Sequence, residues 1–448
     1  MRRAKFFTAD KIPGRSLAEA SNTRECRESR CDRESLRLPT APDHPRINPE
    51  TLSKPILSER KLLLLLAAVQ FTQIMDFMIM MPLGPQLMRD LAITPKEFGG
   101  LISSFAITAG VVGLVAAPFT DRFDRRKVLL FCYAGFGLAT LACGLSDSAA
   151  TLFWARAICG AFGGISGATT MAIVADVVPP DRRARGMGII MTSFSVAAAL
   201  GVPFGLKLAQ WWKWEAPFLA VAGIAAVVWV GLFRILPPVK GHLTGGKVRS
   251  GRDFLELIQT RNAWTGLILM ATIVAGHFTI IPFLSPHLVG NVGLPESSLF
   301  LIYLTGGLVT IFTAPLIGKL ADRHGKLRIY LFLVAAACVI IRALTTAGPL
   351  PVWQTLGLAA LFFAFANGRF IPGQAAISMA VPSNRRGAYM SLVGCSRDLA
   401  CGLTAALGSQ IVVKGADGRL LNFDRLGLLA IGASLVSLLI FRRLKSVE

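Results

Sequence analysis

HFTIIPFLSPHL (residues 277–288) repeats the pattern of DFMIMMPLGPQL (residues 76–87) after 201 positions, so that Phe77 aligns with Phe278. Two more matches follow in the same order. They pair Asp121 and Arg122 with Asp322 and Arg323, and VPPDRR (178–183) with VPSNRR (381–386). Chance gives one such match but hardly three in order at nearly constant spacing. The chain is therefore predicted to contain two halves related by duplication.

The composition excludes an ordinary soluble protein. Of 448 residues, 53% are hydrophobic and 16% are charged, whereas about one quarter of the residues of soluble chains are charged. The net charge of +21 does not indicate nucleic-acid binding, because the basic residues stand in short clusters between long apolar runs. Most cysteines lie singly in apolar runs. We therefore predict no disulfide framework, no metal site and no cofactor.

Twelve stretches have the length and apolar composition that a helix needs to cross a hydrocarbon core of about 30 Å. They fall into two groups of six. The first group is predicted at 62–82, 98–119, 128–146, 150–178, 187–206 and 216–236, and the second at 262–286, 297–318, 329–347, 352–381, 387–413 and 426–441. We predict an all-α integral membrane protein with twelve transmembrane helices in two pseudo-symmetric six-helix bundles.

These spans divide the chain into four predicted segments. Residues 1–58 are rich in Arg, Glu and Ser without hydrophobic periodicity, which is typical of a disordered tail. Whether this tail contacts anionic lipid or reflects a wrongly assigned translation start stays open. Residues 59–236 and 261–448 are predicted to form the two bundles. Residues 237–260 are polar and contain several glycines, which indicates a linker.

The basic residues predict the orientation in the membrane. Loops on one side carry about 22 Lys and Arg residues, and loops on the opposite side carry about eight. Because basic loops stay on the cytoplasmic side, both termini and the linker are predicted to be cytoplasmic. We expect a multi-pass protein of the cytoplasmic (inner) membrane of a prokaryote.

Two loops resemble a signature of the major facilitator superfamily. GKLADRHGK (residues 318–326) closely matches the family's motif between helices 2 and 3. APFTDRFDRRK (residues 117–127) keeps the Asp and the basic residues, but has Ala117 and Asp124 where the family has glycines. The resemblance covers roughly residues 60–445.

Two membrane helices extend the resemblance. FWARAICGAFGG (residues 153–164) is similar to the family's Arg-x-x-x-Gly element of helix 4, with Arg156 in the arginine position. AAALGVPFG (residues 197–205) is similar to the antiporter-associated Gly-Pro element, but has Val202 interposed. Among subfamilies, the chain resembles twelve-helix drug and sugar (arabinose-efflux-like) proton antiporters.

The resemblance implies alternating access, in which two halves rock around a central cavity lined by helices 1, 4, 7 and 10. We predict a secondary active transporter that couples proton entry to efflux of small amphipathic molecules, either drug-like compounds, as in multidrug resistance, or sugars. A sugar or metabolite facilitator or symporter is an alternative, and a transport-inactive membrane sensor is another. No enzyme is predicted, because the chain lacks a phosphate loop, HExxH and G-x-S-x-G. The expected partners are a substrate, protons and membrane lipid, and we expect a monomer.

Three polar residues in the apolar runs are candidates for proton coupling. Each charge at the centre of a membrane helix costs about 2.5–3.5 kcal/mol on insertion scales. With a helical rise of about 1.5 Å per residue, Asp76, Arg156 and His277 all lie roughly 21–22 Å from the cytoplasmic face. For Asp76 and Arg156, a structural ion pair and a proton site are both open. His277 is either a polar packing residue or a substrate or proton site.

Other polar residues of the spans are candidates for the substrate cavity. Gln73 lies in the first span, and Asn367 and Arg369 lie in the tenth. Arg397 and Asp398 are adjacent in the eleventh span, so they point about 100° apart and are not expected to pair. Their role stays open, with a structural role as the alternative.

Charged residues at the cytoplasmic helix ends are candidates for a latch. In the family, the loop Asp and basic residues hold the halves together when the cavity faces outward. Asp176 is expected to pair with Arg125. Solvated surface charge is the alternative for the set, which is Asp121, Arg122, Arg125, Asp176, Asp322, Arg323 and Lys326.

Overall fold

The computed structural model describes residues 59–120, 122–179, 182–240, 243, 260–382, 385–445 and 447. Three predictions fall outside the described residues: the disordered tail (1–58), the latch residue Asp121 and most of the linker. The described part is built almost entirely from helices.

The first set of helices lies within residues 59–236. Its short helix α2 lies at a turn after the first span, where Pro82 and Pro85 interrupt the apolar run. The helices are α1 (Glu59–Ile79), α2 (Gly84–Asp90), α3 (Pro95–Thr120), α4 (Arg125–Gly144), α5 (Ala149–Val177), α6 (Arg183–Val196), α7 (Val202–Trp211) and α8 (Ala216–Ile235).

The second set begins at Arg261 and repeats this order. It contains α9 (Arg261–Phe278), α10 (Ile281–Gly290), α11 (Leu299–His324), α12 (Lys326–Thr345), α13 (Val352–Gly368), α14 (Phe370–Ser378), α15 (Arg386–Ile411) and α16 (Phe423–Arg443). A two-residue antiparallel hairpin, β1 (Val413–Lys414) with β2 (Leu420–Leu421), lies between α15 and α16.

Eleven stretches of the described chain are long and apolar enough to cross a membrane. The eleventh predicted span does form a helix, α15, of 26 residues. Arg397 and Asp398 lie in its middle and lower its apolar content, so it is not among the eleven. The helical membrane fold is confirmed, and the twelfth crossing stays a prediction.

Three spans that were predicted as continuous helices are interrupted. A proline lacks an N–H, and its ring clashes with the carbonyl group four residues earlier. The prolines are Pro203, Pro282 and Pro372, and the corresponding carbonyl groups belong to Ala199, Phe278 and Gly368. α9 ends at Phe278 and α13 ends at Gly368, while Ala199 lies in a single wide turn (Ala197–Gly201) between α6 and α7. The wide turn removes the clash without ending the span.

The largest hydrophobic core that the two sets share among the described residues lies at one end of the molecule. We call this end, which contains α2 and the turn Glu296–Ser298, the far end. There Phe98 of α3 packs edge-on against Phe283 of α10, with ring centroids 6.3 Å apart. At the opposite end, where α4 and α12 begin, one core belongs to the first set, and the other belongs mainly to the second set but includes Ala106 of α3. We call this opposite end the linker end.

Helix α11 is more deeply buried at the far end than at the linker end. Five of its seven buried residues lie between Leu299 and Gly307, which is the far-end third of the helix. The rest of the helix, toward His324, is largely half-buried or exposed. The two sets therefore share more of their core at the far end than at the linker end, where α3 still packs against α15.

α3 is the helix on which the candidate site depends, because it lies between α5 of its own set and α15 of the other set. The approach of α5 is close at Gly160, where an added Cβ would overlap the carbonyl oxygen of Phe105. Only glycine fits this contact.

The variant Gly160→Ala is expected to lose about 1–3 kcal/mol of stability, the usual effect of overpacking, because backbone cannot yield to the new methyl group. Thermal unfolding in detergent measures the loss. Gly223→Ala in α8 is the matched control, since an added Cβ there has no neighbour within 4 Å. Equal unfolding temperatures for the two variants would contradict the close approach of α5 to α3.

Candidate transport site

Asp76 of α1 and Arg156 of α5 form an ion pair in the interior of the first set. Arg156 Nη1 lies 2.6 Å from Asp76 Oδ2, and both side chains are 0% exposed. The same nitrogen lies 3.3 Å from the main-chain oxygen of Asp76. Cys159 Sγ donates a longer hydrogen bond of 3.5 Å to Asp76 Oδ2. The depth argument from the sequence thus placed the two partners in the correct layer.

The pair uses only part of the hydrogen-bonding capacity of its two groups. Asp76 Oδ1 and Arg156 Nε and Nη2 are buried and have no hydrogen-bond partner among the described residues. Buried polar groups without partners are uncommon in proteins and are frequent at functional sites. Asp76 therefore has one free oxygen that can take a proton, and Arg156 has donors left for a second arrangement.

The remaining face of the Arg156 guanidinium lies on an aromatic ring. Its central carbon is 4.4 Å from the ring centroid of Phe105 in α3. A desolvated cation over a ring face is attracted by the ring quadrupole. Arg156 is thus shared between a carboxylate and a ring, and each of them belongs to a different helix.

Gln73 lies one turn closer to the linker end on α1. Its Nε2 donates to Ser166 Oγ of α5, and the side chain is 6% exposed. The predicted cavity role of Gln73 stays a prediction, and in this state its side chain bridges α1 and α5.

His277 lies at the matching position of the second set, surrounded by aromatic rings. It stacks on Phe362 at 5.4 Å with an interplanar angle of 11°, and Phe278 and Phe370 meet it edge-on. It is 5% exposed, and its Nδ1 has no partner in the described chain. No hydrogen bond of the described residues joins it to Asp76 or Arg156. The predicted role of His277 in proton coupling stays a prediction.

Arg369 occupies the break between α13 and α14 and is fully buried. Its Nε and Nη2 donate to main-chain oxygens of Ala366 and Gly276 at 3.2 Å, and its Nη1 donates to Ser434 Oγ. These oxygens belong to three different helices. In this state the side chain holds the second set together, and its substrate contact stays a prediction. Asn367, two residues earlier, is half-buried.

Arg397 and Asp398 were expected not to pair, and this expectation is wrong. Arg397 Nε lies 3.0 Å from Asp398 Oδ1, with the side chains 55% and 30% exposed. Adjacent side chains on a helix leave the axis about 100° apart, but the long arginine side chain curls back to its neighbour. The cavity role of the two residues stays a prediction.

The candidate latch residues at the linker end make contacts inside their own sets. Arg125 Nη1 lies 2.8 Å from Asp176 Oδ2, which joins α4 to α5. Arg122 lies over the ring of Phe119, 5.7 Å from its centroid, and Lys326 contacts the sulfur of Met379. Asp322 and Arg323 are exposed. The latch between the halves stays a prediction.

Sequence reasoning missed a connection between the sets at the far end. Arg89 Nη1 of α2 lies 2.6 Å from Glu296 Oε1, and Gln210 Nε2 of α7 donates to the main-chain oxygen of Glu296 at 2.9 Å. The hydrogen bond to Glu296 raises the pKa of Arg89 further above its ordinary value. Both residues are ordinary loop-end charges in the sequence, and no spacing or motif relates them.

Neutralising this connection with Glu296→Gln is expected to loosen the far end. An exposed ion pair contributes ~0.2–1 kcal/mol, so the ratio of closed to open far end falls by about fivefold at most. Labelling of a cysteine placed beside Glu296 measures the ratio. Asp90→Asn is the control. Asp90 contacts Arg89 of the same helix at 3.2 Å, so this change removes a carboxylate beside Arg89 and leaves the contact of Arg89 with Glu296 in place. Equal labelling of both variants would show that the pair does not hold the far end.

Known transporters are similar to this chain in sequence. The sequence model of the Major Facilitator Superfamily matches residues 66–405. An uncharacterized MFS-type transporter of Bacillus subtilis (strain 168), YceJ, is 24% identical over 330 residues, which are 72% of this chain and 82% of the relative. A chloramphenicol resistance protein of Streptomyces lividans is 28% identical over 249 residues, which are 54% of this chain and 62% of the relative.

Solved structures show the same fold at low sequence identity. A bacterial homolog of the human lysosomal transporter Spinster, in an inward-facing and occupied conformation, superposes with a TM-score of 0.67 at 16% identity. The match covers 88% of this chain and 97% of that structure. A D-xylose-proton symporter also reaches a TM-score of 0.67, at 14% identity, with 84% and 97% of the two chains covered.

Proposed function

Because this chain belongs to the Major Facilitator Superfamily, and is thus a membrane transporter rather than an enzyme, we propose that it exports small amphipathic molecules in exchange for protons. The observation that carries the proposal is the Asp76–Arg156 pair, which is fully buried and joined by one side-chain contact of 2.6 Å. The similarity to a chloramphenicol resistance protein supports efflux of drug-like compounds.

The proton binds Asp76 in this proposal. When the free oxygen, Oδ1, takes a proton, the carboxylate loses its charge and its attraction for Arg156 weakens. Arg156 keeps its charge, and its free Nε and Nη2 donors then favour a new position. Loss of the proton reverses the movement. The pair thus has two arrangements that differ by one proton, which is what a coupled transporter needs.

Alternating access follows from the difference between the two ends. The sets are held together at the far end by a shared core and by Glu296. We assign the linker end to the cytoplasm, because the basic loops lie there. The structure then corresponds to a state closed toward the outside, in which the substrate enters from the cytoplasm. A reporter fused after Glu448 is expected on the cytoplasmic side, and an external signal would overturn this orientation.

The sugar or metabolite symporter receives less support. It requires Asp76 to bind the substrate directly, but this side chain is 0% exposed and both its contacts come from α5. The fold similarity to a D-xylose-proton symporter does not separate the two functions, since the identity is 14%.

Purified protein in proteoliposomes with an internal pH dye tests the proposal. We expect chloramphenicol or another amphipathic compound on one side of the membrane to drive proton movement in the opposite direction. Movement of protons in the same direction as the substrate would indicate a symporter. Substrate flux without any proton movement would refute proton coupling.

A further inference from the structure

We propose that Phe105 is a positioning residue that transmits the protonation state of Asp76 to the contact between the two halves, a role that rests on the proposed proton coupling. Phe105 lies in α3 and touches neither the proton nor the substrate in this assignment. Its ring is 7% exposed and lies between Arg156 and the first ring of an aromatic contact that crosses to the second set.

A continuous row of contacts leads from the ion pair to the second set. The guanidinium of Arg156 lies 4.4 Å from the centroid of Phe105. The ring of Phe105 is 5.3 Å from that of Phe77, at an interplanar angle of 30°. The ring of Phe77 is 6.0 Å from that of Phe278 in α9, at 37°. Two rings, those of Phe105 and Phe77, thus separate the buried charge from the other half of the protein.

The contact between Phe77 and Phe278 is important because of where these two residues stand in the repeat. Phe77 and Phe278 occupy the same position of the two duplicated segments. Residues related by an internal two-fold repeat meet each other only near the axis that relates the halves. Any rocking of one half against the other therefore moves these two rings relative to one another.

The surroundings of Phe105 fix its backbone and leave its ring as the responsive part. Gly160 and Gly164 bring the backbone of α5 against the carbonyl groups of Phe105 and Ala109, so α3 and α5 move together. Gly163, which carries no side chain, lies opposite the end of the Phe105 ring, and a Cβ there would be 3.6 Å from Cζ. The ring therefore faces no side chain at Gly163, whereas the backbone that carries it is in close contact with α5.

The charge on Arg156 supplies the force on the ring. In the deprotonated state the guanidinium is held by Asp76 and rests on Phe105. Once Asp76 is protonated, the ring face of Phe105 and the main-chain oxygen of Asp76 are the attractions that remain for this desolvated cation among its described neighbours. The other titratable groups around Asp76 are Cys159 of α5 and Cys143 of α4, which supply no competing charge while they remain thiols. A shift of Arg156 thus shifts Phe105, and Phe105 shifts Phe77 against Phe278.

The test compares variants that keep or remove the ring. Phe105→Leu keeps an apolar side chain but has no ring face, whereas Phe105→Trp keeps the face. Phe136→Leu is the matched control, because Phe136 is a fully buried ring in the same core that stacks on Tyr133 instead of facing Arg156. Should Phe105→Leu fail to fold, Phe77→Leu removes the next ring in the row.

Two measurements are made on full-length protein. One is the ratio of protons to substrate moved in proteoliposomes with chloramphenicol as the probe. The other is the distance between spin labels on the linker ends of the two sets at acidic and alkaline pH. We expect the wild type, Phe105→Trp and Phe136→Leu to show coupled flux and a pH-dependent distance. We expect Phe105→Leu and Phe77→Leu to move substrate downhill, with the proton ratio lowered and the pH-dependent change lost.

The outcomes separate the two proposals. A wild type that moves substrate without protons, and whose label distance does not depend on pH, contradicts the proposed function and overturns the role of Phe105 with it. A coupled wild type with an equally coupled and equally pH-dependent Phe105→Leu variant leaves the proposed function standing and overturns the role of Phe105 alone.

Discussion

Asp76→Asn is expected to abolish uphill efflux while leaving a folded transporter. The amide has the size of the carboxylic acid and still accepts a hydrogen bond from Arg156, so it imitates the protonated form permanently. A group that cannot release a proton cannot complete the coupling cycle, whereas substrate binding and downhill exchange need no proton. Accumulation against a gradient falls to background in proteoliposomes with an imposed pH difference, and counterflow of labelled substrate persists.

The control for this result is Asp90→Asn, which removes a carboxylate from a second Arg–Asp contact of the same half. That contact is partly exposed and lies at the far end, so its loss leaves coupling intact. Full uphill transport by folded Asp76→Asn protein would refute the assignment of Asp76 as the proton site. The next candidates would then be His277 and Asp398.

Arg156→Gln is expected to cause the largest loss of stability of any single change in the site. It leaves the Asp76 carboxylate buried without its charged partner, and breaking a buried pair in this way costs about 3–5 kcal/mol.

Thermal unfolding measures this effect. The double change Asp76→Asn with Arg156→Gln removes both charges and is expected to unfold near the wild-type temperature. Arg125→Gln is the matched control and should lose less, because Arg125 and Asp176 retain contact with water. If Arg156→Gln unfolds at the wild-type temperature, the pair does not contribute to stability.

The fold was largely predictable because its determinants are local or repetitive. The length of the apolar runs predicted the helices, and the duplicated segment around Asp76 and His277 predicted two halves. The breaks before Pro282 and Pro372 were missed, although the clash with the carbonyl group four residues earlier is itself a local rule. α15 shows the limit of composition, since two charges in a helix reduce its apolar content without preventing the helix.

The site was predictable only where depth along a helix decided it. Asp76 and Arg156 were placed in one layer by counting residues from the membrane surface, and they form a pair. The Arg89–Glu296 connection depends on how two loop ends approach each other, which no local pattern encodes. The neighbours of Arg369 were not foreseen either, because they include main-chain oxygens whose availability depends on the packing of three helices.

The charged centre of α15 has a consequence for how the protein is made. Each charge at a helix centre raises the free energy of insertion by about 2.5–3.5 kcal/mol, so Arg397 and Asp398 together cancel much of the driving force of this helix toward the bilayer. Extensive packing against α3 and α9 supplies what its composition lacks. We therefore expect α15 to enter the membrane stably only once α3 and α9 are already there.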